Sequence, residues 1–337
     1  MLARCKKALA AVLAMALSVP ATAGPTLLFD QSDGRVLYAE DQDNQWHPAS
    51  LTKIMTAYIA FEALKEGKLA LDQKIPCSEL AHSQPPSKIG LAVGTDMTVD
   101  TALQSLILKS ANDVAVMLAE AISGSQDAFV ERMNATAAKL GMTRTKFVNA
   151  NGLPAPEQVT TARDLAKLTT AVLRDFPERA NLWSLVDMRV GKRRLRTHNS
   201  LLTNYEGADG MKTGFICDSG FNMVASATRD GHKLIAVVLG EATGGERAAR
   251  AANLLEHGFQ TYKWKELLDA PTLDKLAVAE DPKGPVTMRN AVISFACGTG
   301  GHRRVVAKRK RHNKTVAEKK APTRSPARQR AAAKGSE

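Results

Sequence analysis

The sequence predicts an α+β fold in which one antiparallel sheet is completed by both ends of the domain around an inserted helical cluster. Three observations predict it. Two short apolar runs meet at a turn near residue 33, several segments of helical period fill the middle, and three apolar runs split by turn residues follow Gly207.

The chain opens with "MLARCKKALAAVLAMALSVPATAG": Arg4, Lys6 and Lys7, an apolar stretch from Ala8 to Val19, then Ala21-Thr22-Ala23 before Gly24. This is the three-part layout of a cleavable export signal over residues 1–23, with a retained N-terminal anchor as the alternative. No other stretch reaches about 18 apolar residues, so no transmembrane helix is expected in the mature chain. The domain proper is assigned to residues 24–265.

"TLLFDQSDGRVLYAED" then reads as a hairpin turning at Ser32-Asp33-Gly34. Leu51, Ile54, Met55, Tyr58, Ile59 and Glu62 follow the rhythm of a helix over 50–66 buried along one stripe. Pro48 favours an extended entry, Ser50 is a good capping residue, and Gly67 is a stop signal. Further helices are read over 98–122, over 125–140 and in "TTARDLAKLTTAVLRDF", where Thr161 and Asp164 resemble a capping box. Past Gly207, breaks at Asp218-Ser219-Gly220 and Arg229-Asp230-Gly231-His232 divide three strands, and a helix over about 245–265 closes the domain. Residues 266–302 form a short, weakly patterned extension, and 303–337 a low-complexity, disordered basic tail.

Charge divides the same way. The formal net charge is +12, but residues 303–337 carry +11 and the leader +3, leaving −2 for residues 24–302. The body is nearly neutral, so its charge does not call for nucleic acid; the tail is read either as a solvated arm or as attraction to anionic envelope polymers. Cys77, Cys217 and Cys297 remain after the leader, and one pair plus one free thiol is the simplest arithmetic, with Cys217–Cys297 the expected pair. The seven histidines are scattered without metal-ligand spacing, so neither a metal nor another cofactor is expected.

Ser50 and Lys53 stand one helical turn apart in "HPASLTKIMTAY", close enough for the lysine to take the serine's proton if burial and a second cation lower its pKa. Roughly one Ser-x-x-Lys is expected by chance in a chain this long. Ser110-Ala111-Asn112 interrupts the helical "LKSANDVAV", although both polar residues could simply face solvent, and Lys212-Thr213-Gly214 opens the first strand after Gly207. Asp113, Glu62 and Glu66 read as exposed helix charges, and His47 as structural.

In this order, Ser-x-x-Lys, Ser-x-Asn and Lys-Thr-Gly form the signature of penicillin-binding proteins and serine β-lactamases. With "SQPPSKIGLAVG", "TKFVNANGLP" and "DGMKTGFICDSGFNMVASA", the chain resembles, over roughly residues 26–262, the low-molecular-mass penicillin-binding proteins that act as serine-type D-alanyl-D-alanine carboxypeptidases. The resemblance implies a β-lactamase/transpeptidase-like fold. It makes Ser50 the acylated nucleophile, Lys53 the general base and Ser110 a proton relay. Asn112 would hold the substrate peptide group, while Lys212 and Thr213 take the terminal carboxylate. Gly214 would let the substrate backbone approach, and the N–H groups of Ser50 and Phe215 form the oxyanion hole. Peptidoglycan stem peptides and β-lactams are the implied partners of a monomeric, periplasmic enzyme. Endopeptidase action on cross-links is a close alternative. A β-lactamase is disfavoured because none of Glu120, Glu131, Glu157, Glu178 or Glu206 has the expected local context, and a non-catalytic wall-binding protein would not need the serine and lysine.

Overall fold

The computed structural model describes residues 24–265, 270–292 and Cys297. The chain divides into two units, 1–292 and 293–337. The leader and the basic tail lie outside the described residues.

In chain order the elements are β1 (Thr26–Asp30), β2 (Val36–Glu40), a 3-10 turn at Ala49–Leu51 running into α1 (Thr52–Lys65), β3 (Lys74–Pro76), α2 (Glu79–Ser83) and β4 (Asp96–Thr98). Then come α3 (Val99–Gln104), a π-turn at Ser105–Lys109, α4 (Asn112–Ser123), α5 (Gln126–Lys139), α6 (Ala162–Asp175) and a 3-10 segment at Pro177–Ser184. β5 (Asp187–Val190), β6 (Arg193–Arg196) and α7 (Leu201–Asn204) precede β7 (Ala208–Ile216), β8 (Gly220–Arg229), β9 (His232–Glu241), α8 (Gly244–Lys265) and α9 (Arg289–Val292).

The main sheet is antiparallel with strand order β2-β1-β9-β8-β7, so the early hairpin joins the late meander as expected. One sheet face packs on α8 through Leu28, Met223, Ala225, Leu234, Ala236, Val238, Ala251 and Leu255, where period-two alternation meets a helical stripe. The other face turns to the helical cluster, where α6 meets β1 and β9.

Several elements differ from the expectation. From Thr52 to Phe61 every residue of α1 is buried, so these turns form a central column, and only the last turn, from Glu62 to Lys65, reaches solvent. The single helix expected over 98–122 is two, because the π-turn ends at Ser110, whose left-handed φ of 59° stops the α-ladder before Asn112 restarts it. Asp113, read as an exposed charge, is 0% exposed and accepts bonds from the backbone N–H of Ile89 (3.1 Å) and Gly90 (2.8 Å). Glu62 is half-buried beside Arg132, and Glu66 is exposed as expected. Thr161 caps α6 by accepting from Asp164 N, but the Asp164 carboxylate turns away to Arg144 N and Thr145 Oγ1, so the box is only half formed.

Residues 270–279 form a strap along the body. The Arg163 guanidinium grips it, donating to the carbonyls of Leu273, Leu276 and Ala277 while paired with Asp43 at 2.6 Å; both side chains are buried. Further along, Met288 N donates to Asp218 O, and Arg289 pairs with the Asp218 carboxylate. Cys217 and Cys297 are each disulfide-bonded, and Cys77 is a buried free thiol.

Candidate active site

The site forms where the start of α1, the end of the π-turn and the edge strand β7 converge. Ser50 does not cap α1 as its position implied; it lies inside the 3-10 turn, and Pro48 enters with helical dihedrals (φ −67°, ψ −25°) where an extended entry was expected. Ala49 before it has a positive φ of 48° and packs on Gly152, where any Cβ would collide with the Ala49 carbonyl. Such strain persists only when surrounding structure holds it. His47 is structural, its Nδ1 lying 2.9 Å from the Gln158 carbonyl.

Lys53 is 0% exposed. Its Nζ donates to Ser50 Oγ at 3.0 Å, to Asn112 Oδ1 at 2.7 Å and to the Asn151 carbonyl at 2.5 Å. Three directed bonds fix the amine in front of the hydroxyl. Burial holds its pKa well below the ordinary lysine value, the Lys212 charge deepens the depression, and Asp113 opposes it. Lys212, 2% exposed, is pushed down to about 7 by burial and then by Arg247.

Ser110 Oγ is buried without a hydrogen-bond partner. A hydroxyl left unpaired in a cleft costs free energy and is ready to take a bond from whatever enters. Asn112 is engaged at both ends of its amide: Oδ1 accepts from Lys53, and Nδ2 donates to the Pro85 carbonyl at 2.9 Å. It thereby ties α4, α1 and the 84–90 loop together, and one amide hydrogen remains for a ligand.

A cleft of about 560 Å³ brings Ser50, Ser110, Asn112, Thr213, Gly214 and Phe215 together with Pro86, Ser87, His198 and Arg247, and among the described residues no Asp or Glu lines it. Lys212 does not reach this surface and stands behind it, donating to the Thr213 carbonyl at 3.1 Å. Gly214 has a reason beyond the one read from sequence. A Cβ there would lie 3.0 Å from Pro48 O and 3.2 Å from Ser50 N, so the glycine lets β7 press against the turn bearing Ser50. β7 is the outer strand of its sheet, and among the described residues no strand pairs with its free edge.

Two contributors went unread in the sequence. Asn151 acts through its backbone carbonyl, which no side-chain pattern signals, although it falls within "TKFVNANGLP". Arg247 lies in the first turn of α8, 7% exposed, with its Nε unpartnered, and burial pulls its pKa down to about 10. Only the fold brings it to the cleft, so no local motif announces it.

A serine hydroxyl bonded to a buried lysine of lowered pKa, beside an outer strand and two further cations, is an arrangement chemically suited to activating that hydroxyl. The model of the D-alanyl-D-alanine carboxypeptidase family matches residues 13–243, and the chain belongs to that family. It is 37% identical over 244 residues to D-alanyl-D-alanine carboxypeptidase DacC of Escherichia coli K12, covering 70% of this chain and 61% of that one. With DacF of Bacillus subtilis it shares 35% over 241 residues, 70% and 62% of the two chains. The chain thus spans just over three fifths of these relatives' length. Among solved structures, penicillin binding protein 5 of Haemophilus influenzae superposes with a TM-score of 0.69 at 37% identity, covering 71% of each chain. Penicillin-Binding Protein D2 of Listeria monocytogenes, solved in a cefotaxime-bound form, gives 0.65 at 31% identity, with 71% of this chain and 97% of that one covered. The fold is therefore the α+β architecture of the penicillin-binding proteins, as the motifs implied. No helix among the described residues is long and apolar enough to cross a membrane.

Proposed function

We propose that this chain is an exported, monomeric serine-type D-alanyl-D-alanine carboxypeptidase that removes the terminal D-alanine from peptidoglycan stem peptides through an acyl-enzyme on Ser50. The observation that carries the reading is the 3.0 Å bond between Lys53 Nζ and Ser50 Oγ, made by a fully buried lysine whose proton is weakly held. The neutral Lys53 amine takes the Ser50 proton as Oγ attacks the carbonyl carbon of the D-Ala-D-Ala bond. The oxyanion is received by the N–H groups of Ser50 and Phe215, each donor contributing about 3 kcal/mol in comparable sites. Ser110, with its free hydroxyl, passes a proton to the leaving amine from Lys53 or Lys212, and free D-alanine departs. Water then cleaves the acyl ester.

The substrate lies along the free edge of β7, its peptide group held by the remaining Asn112 hydrogen. Its terminal carboxylate goes to Thr213 and Arg247, with the Lys212 charge behind them; the unpaired Arg247 Nε supports this addition to the residues read from sequence. β-Lactams acylate the same serine and are released slowly, since among the described residues no carboxylate lines the cleft to activate a hydrolytic water. The basic tail 303–337 would add salt-dependent attraction to anionic envelope polymers. Intact-mass measurement after incubation with benzylpenicillin, alongside D-alanine release from a soluble pentapeptide, tests the proposal. A covalent adduct and D-alanine release are expected from the wild type and neither from Ser50→Ala; an adduct surviving in Ser50→Ala, or no release by the wild type, overturns it.

A further inference from the structure

The β5–β6 hairpin beside the cleft carries a concentration of charge that catalysis does not use. Residues 187–196 hold five Lys or Arg and one Asp, a net of +4 on a body whose sum over residues 24–302 is −2. The register pairs Asp187 with Arg196, Met188 with Leu195, Arg189 with Arg194 and Val190 with Arg193. Met188 and Leu195 share the inner face and are buried, with Ser105 Oγ of the π-turn 3.8 Å from Met188 Sδ. The outer face presents Arg189, Arg194 and Arg196, all exposed, around Asp187.

Asp187 bonds Arg194 at 2.6 Å, and its pKa is lowered by that bond first and then by the charges of Arg194, Arg196 and Arg189. One carboxylate therefore serves three guanidinium groups. Arg189 stands directly opposite Arg194, an arrangement of like charges that weakens a two-stranded ladder unless an anion bridges it. Planar guanidinium forks suit carboxylates in particular.

The hairpin's place identifies the anion. Arg193 Nη1 donates to the Ile89 carbonyl at 2.8 Å, in the loop whose Pro86 and Ser87 line the cleft. Two residues after β6, His198 lines the cleft too, and its carbonyl lies 3.5 Å from Arg247 Nη2. The hairpin thus adjoins, through Arg193 on its inner face and His198 beyond its second strand, the end of the cleft where, on the function proposed above, the stem peptide terminates in its carboxylate, and it holds Arg189, Arg194 and Arg196 on its opposite face. That stem has no further chain to lay on the hairpin, whereas neighbouring stems of the same polymer each end in a carboxylate of their own.

We propose that the outer face formed by Arg189, Arg194 and Arg196 docks the carboxylates of a second stem peptide, holding the polymer while one stem is cut. This rests on the proposed carboxypeptidase function. The test compares the full mature chain with its R189Q/R194Q/R196Q variant in co-sedimentation with purified sacculi and in D-alanine release from a soluble pentapeptide.

At low salt the variant is expected to bind sacculi about fivefold more weakly, the sum of three partly screened contacts. The difference should vanish near ~0.5 M salt, where screening shortens to a few ångströms. Amidating the sacculus carboxylates should remove the wild-type advantage, R189K/R194K/R196K should keep much of it, and release from the soluble peptide should be unchanged. Equal sedimentation of wild type and variant at low salt overturns the docking, as does a wild-type advantage that survives amidation. A preference of the arginine face for phosphatidylglycerol vesicles or poly(glycerol phosphate) over sacculi overturns it in favour of a lipid surface or a phosphodiester polymer. Absence of D-alanine release by the wild type strikes the proposed function instead, while sedimentation reads the docking independently.

Discussion

Between the sheet and α8 the buried side chains are Leu28, Met223, Leu234, Val238 and Leu255; around Ser50 they are Lys53, Lys212, Asp113 and Asn112. Both groups are withdrawn from water to the same depth. In the first region burial is driven by the apolar area removed from water. In the second it opposes folding, because two lysines lose hydration beside one another and Ser110 Oγ finds no partner. The stability of the sheet–helix layer is what permits the cleft to hold ionisable groups in reactive states.

The largest effect expected is on turnover. Lys53→Met should lower acylation by benzylpenicillin about 10²–10⁴-fold, the usual scale for a lost general base, while thermal melting shows a fold kept or strengthened. Acylation close to the wild-type rate would show that another group takes the proton. The mirror experiment is Leu28→Ala, a truncation under α8 at a fully buried position, which should cost about 3 kcal/mol in denaturant unfolding and leave acylation per folded molecule intact. A selective loss of activity there would break the division between the two regions.

Lys212→Met sharpens the comparison through pH. In the folded chain Lys212 titrates at about 7, below its ordinary 10.5. Below pH 7 both folded and unfolded chains carry the proton and the penalty of burial is fully present. Between the two values the unfolded chain holds more protons, so stability rises with pH until the penalty has gone. The variant should therefore be more stable than the wild type by on the order of 2 kcal/mol at about pH 6, with the gain shrinking towards pH 10. A gain independent of pH would assign the effect to packing instead of charge.

Legibility followed the same division. The strands at 26–30 and 208–241 and the helix at 244–265 alternate or repeat regularly between turn residues, and they stand where the pattern puts them. The three motifs were readable because their residue types suit the proposed chemistry, and the structure gathers Ser50, Ser110, Asn112, Thr213, Gly214 and Phe215 at one cleft with Lys53 and Lys212 buried behind it. What local pattern could not convey depends on tertiary surroundings. From Thr52 to Phe61 α1 is enclosed on every side, so over those turns the apparent stripe had no exposed counterpart. Asp113 sits on a helix like any surface charge, and only the 89–90 backbone arriving from elsewhere buries it. The π-turn before Ser110 differs from an α-helix by one residue of hydrogen-bond register, which no hydropathy period resolves. In β5 and β6 the arginines mask the alternation of Met188 and Leu195, so that hairpin left no apolar signature.

The grip of Arg163 on the strap bears on where the gene can be cut. Helix α8 ends at Lys265, and a shortened expression clone stopping there would follow the apparent end of the motif-bearing region. It would also strip three carbonyl acceptors from a guanidinium that is nearly sealed from solvent, leaving those N–H groups with only Asp43 to answer them. Reporter fusions, affinity handles and protease sites therefore belong beyond the disulfide-bonded Cys297, and a clone ended at 265 would yield a protein prone to aggregation for a reason seated more than a hundred residues upstream.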